Sequence, residues 1–152
     1  MKKIKSIAAI MICLCMLFSL SVFPVSALNE KLVYTYSGSY ATLTDCNGGA
    51  SANVIIPTTV TYGGKNYSVK IIGEQAFSGC KYIQRIAIPK GATAVKSRAF
   101  ENCTGLTDVY VPKSVVSFAY DAFEGCENVT VHCYKSNYQF FSVLGYSPNI
   151  TV

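Results

Sequence analysis

Apolar and polar positions along this chain recur with a period of 23 residues. Ala76-Phe77-Ser78-Gly79-Cys80, Ala99-Phe100-Glu101-Asn102-Cys103 and Ala122-Phe123-Glu124-Gly125-Cys126 repeat one phrase at that interval. Aligning on the period exposes further columns: Ile72, Val95 and Phe118; Ile83, Leu106 and Val129; Ile86 and Val109; Ile88 and Val111; Pro89 and Pro112. A fixed period of this length predicts a solenoid, in which each repeat buries its apolar face only by stacking on its neighbours.

Within one repeat, Arg85-Ile86-Ala87-Ile88-Pro89 and Asp108-Val109-Tyr110-Val111-Pro112 alternate as half-buried strands do. The closing proline has no N–H for a ladder and ends each strand. A short extended piece then holds the Ile72-type residue, and the Ala-Phe phrase turns inward. Gly79, Asn102 and Gly125 suit a left-handed residue at the end of that turn. Upstream the period breaks. Val54-Ile55-Ile56-Pro57 reads as another strand with its proline, but Pro57 lies 32 residues before Pro89. A hairpin at Gly63-Gly64 absorbs the excess. Val33–Tyr36 and Tyr40–Thr44 read as capping strands. Downstream, residues 138–145 read as a closing helix or turn, with Phe140, Phe141 and Leu144 over the last core layer.

The first segment is expected to lie outside the fold. Lys2, Lys3 and Lys5 precede an apolar run from Ile7 to Phe18, and Val25-Ser26-Ala27 has the small-residue pattern of a signal-peptide cleavage site. The alternative is an uncleaved anchor, for which the uninterrupted run is short against a span of roughly 20 residues. Cys13 and Cys15 lie inside the apolar run, which argues against lipoprotein attachment. The C-terminus carries no sorting or lipidation motif, so the expected product is secreted and extracellular, touching a membrane only through the signal peptide. The organisation read from the chain is therefore 1–27 signal peptide, 28–70 N-terminal β cap and first irregular repeat, 71–128 regular repeats and 129–152 C-terminal cap.

Charge and cysteine count change this picture little. The full chain carries a formal +5, but residues 28–152 hold ten Lys/Arg against eight Asp/Glu. Their basic residues are scattered one or two at a time, which excludes a nucleic-acid footprint. Five cysteines remain after position 27, an odd number. Cys80, Cys103 and Cys126 are locked to the repeat and read as a buried ladder of free thiols. Cys126 with Cys133, close in sequence, is the expected bridge if one forms.

The residues that carry the period also carry a resemblance. Val54-Ile55-Ile56-Pro57, Ile72-Gly73-Glu74-Gln75-Ala76-Phe77-Ser78-Gly79-Cys80 and Val109-Tyr110-Val111-Pro112 resemble the BspA-type leucine-rich repeats of bacterial secreted and surface proteins. The ending from Cys133-Tyr134-Lys135-Ser136-Asn137-Tyr138 through Gly145 is similar to the segment that closes such arrays. The likeness covers roughly residues 32–152. It implies a right-handed leucine-rich-repeat solenoid, an α/β solenoid that is mostly β, with a role in adhesion or protein binding on a host or partner-cell surface. The chain departs from larger members in its few repeats, in lacking a wall-anchoring segment, and in placing Lys96 and Ala119 where the first repeat has Gly73.

No catalytic constellation emerges, so the chain reads as a non-enzyme without cofactor or metal. The single histidine, His132, adjoins Cys133 and follows Cys126 by six residues, a spacing that fits no structural zinc pattern. Adjacent strand residues point to opposite faces, so His132 does not serve Cys133 as a base. Glu74, Glu101, Glu124 and Glu127 recur near the turns and read as a solvated edge. Sequons at Asn66, Asn102, Asn128 and Asn149 matter only in a eukaryotic secretory pathway.

The expected ligand surface is the outward side of the stacked strands: Gln84, Arg85 and Ala87, then Thr107, Asp108 and Tyr110, then Thr130 and His132. The expected core ladder is Phe77, Phe100 and Phe123 with Cys80, Cys103 and Cys126. The expected partner is an extracellular or host-surface protein. A glycan is the alternative, at a tyrosine-rich cap formed by Tyr34, Tyr36, Tyr40, Tyr62 and Tyr67, and a structural cell-envelope component that self-assembles through an open end is a third reading. No sequence feature chooses protein over glycan.

Overall fold

The computed structural model describes residues 32–47, 52–137 and 149–151. The signal segment at 1–27 and the closing helix or turn expected at 138–145 lie outside these residues. Two sheets face one another across the core. The first contains β1 (Val33–Ser37), β2 (Tyr40–Asp45), β4 (Thr59–Tyr62), β5 (Lys65–Ile72), β7 (Ala94–Val95) and β9 (Ser117–Phe118). The second runs β11 (Asn149–Thr151), β10 (Thr130–His132), β8 (Asp108–Tyr110), β6 (Arg85–Ala87) and β3 (Asn53–Ile55). The chain crosses between the sheets twice per repeat, once at the proline and once through the Ala-Phe turn.

The pairing shows why the columns exist. Strands β6 and β8 pair in parallel, with Arg85, Ile86 and Ala87 opposite Asp108, Val109 and Tyr110, each 23 positions on. In the first sheet Ile72 lies opposite Val95, and Val95 opposite Phe118. The core columns are shut away from solvent: Ile72, Ile83, Ile86, Val109 and Val131 are 0% exposed. At the start, the Gly63-Gly64 turn joins β4 and β5 as an antiparallel hairpin, with both glycines at positive φ (57° and 75°). β1 and β2 form a second hairpin that lies along the other edge of β5.

The Ala-Phe phrases are turns; among the described residues they contain no α-helix, and the one helical segment is the 3-10 turn Lys135–Asn137. The α contribution expected of the solenoid is thus absent from the described repeats. Each turn reverses within three residues of the phenylalanine, too short a reach for an α-helical nucleus. Gly79, Asn102 and Gly125 end the turns at φ 71°, 53° and 74°, in the left-handed region that glycine and asparagine tolerate. Phe77, Phe100 and Phe123 stack face to face, with centroids 5.5 and 5.3 Å apart.

The cysteine column behaves differently from the expectation. Cys80 is bonded to Cys46 at the end of β2, so it is no free thiol, and both Cys126 and Cys133 are free rather than bridged to each other. The reason lies in the rungs. The Cys103 thiol donates to the Phe77 carbonyl and the Cys126 thiol to the Phe100 carbonyl, each 2.9 Å away in the preceding repeat. Contact with Cys126 and burial both push the Cys103 thiol up, which keeps it protonated and donating. Cys80 belongs to the first such turn, has no earlier phenylalanine rung to meet, and meets the N-terminal strands instead. Cys126 sits on the turn side and Cys133 follows β10 on the opposite crossing.

Gly73 marks the junction of the first repeat with β2. Its N–H donates to the Leu43 carbonyl at 2.7 Å, and a Cβ there would stand 2.6 Å from the same oxygen. Lys96 and Ala119 make the matching bonds to Ile72 and Val95. Gly73→Ala is expected to prise β5 from β2 and lower stability by about 1–3 kcal/mol. A urea midpoint equal to wild type would show that β2 yields without cost.

Candidate binding face

The second sheet has one face in the core and one in solvent, because side chains alternate along each strand. Parallel in-register pairing lines the outward side chains into two rows. One contains Asn53, Arg85, Asp108 and Thr130; the other contains Ile55, Ala87, Tyr110 and His132. The expected surface residues are therefore brought together, with Gln84 and Thr107 exposed at the strand entries and Ala87, Thr130 and His132 half-buried.

The last rung is shifted. Asp108, Val109 and Tyr110 pair with Thr130, Val131 and His132, which are 22 rather than 23 positions on. That pairing creates the densest polar cluster of the face. His132 Nε2–H donates to Asp108 Oδ1 at 2.8 Å, and the Arg85 guanidinium lies 3.5 Å from Asp108 Oδ2. Thr107 Oγ1–H also donates to Asp108, at 2.9 Å. The hydrogen bond from His132, then that from Thr107, with Arg85 adding, hold the Asp108 carboxyl below the usual carboxylate range. Tyr110 stacks on the His132 ring at 4.5 Å between centroids and 11° between planes, and remains 45% exposed. Ile55, 62% exposed, begins the same row. Both partners of His132 lie on this face, whereas Cys133 is buried and Cys126 is committed to the Phe100 carbonyl. Among the described residues no group of His, Cys, Asp and Glu forms a metal cluster.

The recurrent carboxylates lie across the molecule on the Ala-Phe turns. Gln75 Nε2–H and Ser78 Oγ–H donate to Glu101 at 3.2 and 3.0 Å, Ser97 donates to Asp121 at 2.6 Å, and Arg98 donates to Glu124 at 3.0 Å. They tie successive turns together along the solvated edge. The tyrosines of the N-terminal strands are split. Tyr36 stacks on Tyr62 at 4.6 Å and packs against Tyr67 at 4.8 Å, with the Lys65 ammonium 5.1 Å from the Tyr67 centroid. Tyr34, Tyr36 and Tyr67 pack against the core, while Tyr40 and Tyr62 are exposed.

The family of the BspA type leucine-rich repeat region matches residues 65–143, in six copies. The chain belongs to this family. A leucine-rich cell surface protein of Faecalibacterium prausnitzii A2-165 superposes on the BspA-type chain with a TM-score of 0.62 at 30% identity, over 68% of this chain and 28% of that one. A leucine-rich repeat protein of Bacteroides ovatus gives 0.53 at 24% identity, over 70% and 35%. A third, from Bacteroides capillosus, gives 0.51 at 23% identity, over 67% and 99%. The BspA-type chain thus spans about a third of the first two proteins' length, and the latter two likenesses concern the fold alone. No curated protein matches it. Membership makes it a leucine-rich-repeat module, with a described cell surface protein among its structural neighbours.

Proposed function

We propose that this chain is a secreted, non-catalytic leucine-rich-repeat module that binds an extracellular protein, in the manner of an adhesin, through the outward face of its second sheet. The proposal includes a right-handed winding of 23-residue repeats closed by strands at the N-terminal end and by a cap after β10. One observation carries it: Arg85, Asp108, Tyr110 and His132 come from three successive strands and meet in one cluster on a rigid, exposed sheet. Arginine and tyrosine are enriched at protein-binding hot spots, tyrosine for a large contact area with two dihedrals to fix and arginine for its planar fork of donors. Here both are held in place, Arg85 by Asp108 and Tyr110 by His132. Ile55 and Ala87 extend the apolar row beside them.

The purified protein is tested by pull-down against extracellular-matrix and envelope proteins, with neutral polysaccharides in parallel. A saturable protein partner is expected. The Arg85→Glu/Tyr110→Ala variant is expected to lose roughly tenfold or more in affinity, with an unchanged circular dichroism spectrum. Undiminished binding by that variant removes the face from the reading. Retention on neutral polysaccharide alone transfers the function to the exposed Tyr62 ring, which Tyr36 backs on one side.

A further inference from the structure

Basic residues scattered along the sequence become a line in space. Lys90 and Lys113 follow Pro89 and Pro112 at the same place in successive repeats. Their turns are locked in register by Gly91 N–H, which donates to Ser114 Oγ at 3.0 Å. Lys70, on β5 of the first sheet, reaches the first of these turns, its ammonium donating to the Gly91 carbonyl at 3.1 Å. Lys135 stands one rung after Lys113. Its 3-10 turn is fastened there by Asn137, which is 1% exposed and donates from Nδ2 to the Val115 carbonyl at 2.6 Å. Lys90, Lys113 and Lys135 are exposed and Lys70 is half-buried.

The crossing lacks carboxylates. Its stretches 56–60, 88–93, 111–117 and 133–137 contain no Asp or Glu. None of the four lysines is in an ion pair among the described residues, whose pairs all involve Arg85, Arg98 or His132. The carboxylates Glu74, Glu101, Asp121, Glu124 and Glu127 sit at the opposite crossing, on the Ala-Phe turns. Successive rungs of a sheet are about 4.8 Å apart, and the register of β6, β8 and β10 puts Lys90, Lys113 and Lys135 at equivalent places on successive rungs along the stacking direction.

We propose that this proline-crossing edge, distinct from the strand face, docks a linear anionic glycan. Three exposed ammonium groups at equivalent places on successive rungs, with the Lys70 ammonium held beside the first of their turns, match a partner that repeats its own negative charge along a line, as a sulfated or uronate-bearing polysaccharide does. A folded acidic protein is a poorer match, since the edge offers no arginine and no tryptophan to anchor it. Tyr134, 57% exposed beside Lys135, adds a ring face against which a sugar can lie.

The probe is heparin, as an immobilised sulfated glycan at low salt. The wild-type protein is expected to be retained and to elute as salt rises. Lys90→Glu/Lys113→Glu is expected to weaken binding roughly tenfold or more, since two of the edge charges are reversed. The control is Lys81→Glu/Lys96→Glu, which makes the same change of net charge at the opposite crossing and is expected to retain most of the binding. Thermal melts of both variants establish that they are folded. Passage of the wild type through the column, or an equal loss in both variants, overturns the proposal. Elution of the bound protein by polyglutamate at the same charge concentration as free heparin overturns the glycan assignment in favour of an acidic polypeptide.

Discussion

Phe100→Ala is expected to be the most damaging single substitution in the regular repeats, costing about 3–5 kcal/mol. Phe100 is 0% exposed and lies between Phe77 and Phe123, so among the described residues it is the ring of the ladder stacked on both sides. Truncation leaves a cavity that neither neighbour can fill, because each ring is held by its own turn. In a stacked array each repeat is stabilised chiefly by its interfaces with the next, and the middle rung carries two. The loss is therefore expected to exceed that of Phe123→Ala, and the transition is expected to broaden as the halves melt separately. Phe100→Leu should restore more than half of the stability. Chemical denaturation measures all three variants; a loss below about 1 kcal/mol for Phe100→Ala would place the main cohesion elsewhere, given the range expected for buried phenylalanine.

Removing the Cys46–Cys80 bond is expected to have a comparable effect. The bridge spans 34 positions, and a loop of that size restricts the unfolded chain by about 3–4 kcal/mol. It also joins the end of β2 to the first Ala-Phe turn, so the N-terminal hairpins lose their covalent tie to the repeats. The Cys46→Ser/Cys80→Ser variant is expected to melt roughly 10 °C or more below wild type. Reductant should lower the wild-type melting temperature to a similar degree and leave the double variant unmoved. An equal response of both proteins to reductant would show that the effect comes from another sulfur.

The phenylalanine column, the strand-proline segments and the Gly63-Gly64 hairpin are all legible in the sequence, because each depends on residues near in sequence or in phase with the period. The disulfide was not. Cys46 lies outside the period, and the in-phase company of Cys103 and Cys126 made Cys80 look like one more thiol, although its rung alone lacks a preceding phenylalanine carbonyl. The repeat strands of the first sheet show in the sequence only as a short extended piece, since Ala94–Val95 and Ser117–Phe118 are too brief to display an alternation. On the binding face, alternation indicated which side chains point outward. The contact of Asp108 with His132 depends on the 22-residue spacing of the last rung, which the Leu106 and Val129 column conceals. The lysine edge had a signal, Lys90 and Lys113 sharing a column, but charge was read along the chain, where its members stand far apart.

The unequal spacings at the two ends have a consequence for folding fidelity. Strands 23 residues apart are nearly interchangeable partners, so a chain of identical rungs could close with one skipped and still satisfy most of its hydrogen bonds. Asn53 pairs with Arg85 across 32 positions, and Asp108 with Thr130 across 22. Neither interval is a multiple of the period. A slipped alignment that keeps the middle in phase throws the end strands out of step and turns their apolar side chains to water. The irregular termini thus act as phase marks, giving an otherwise translationally symmetric ladder a unique beginning and end.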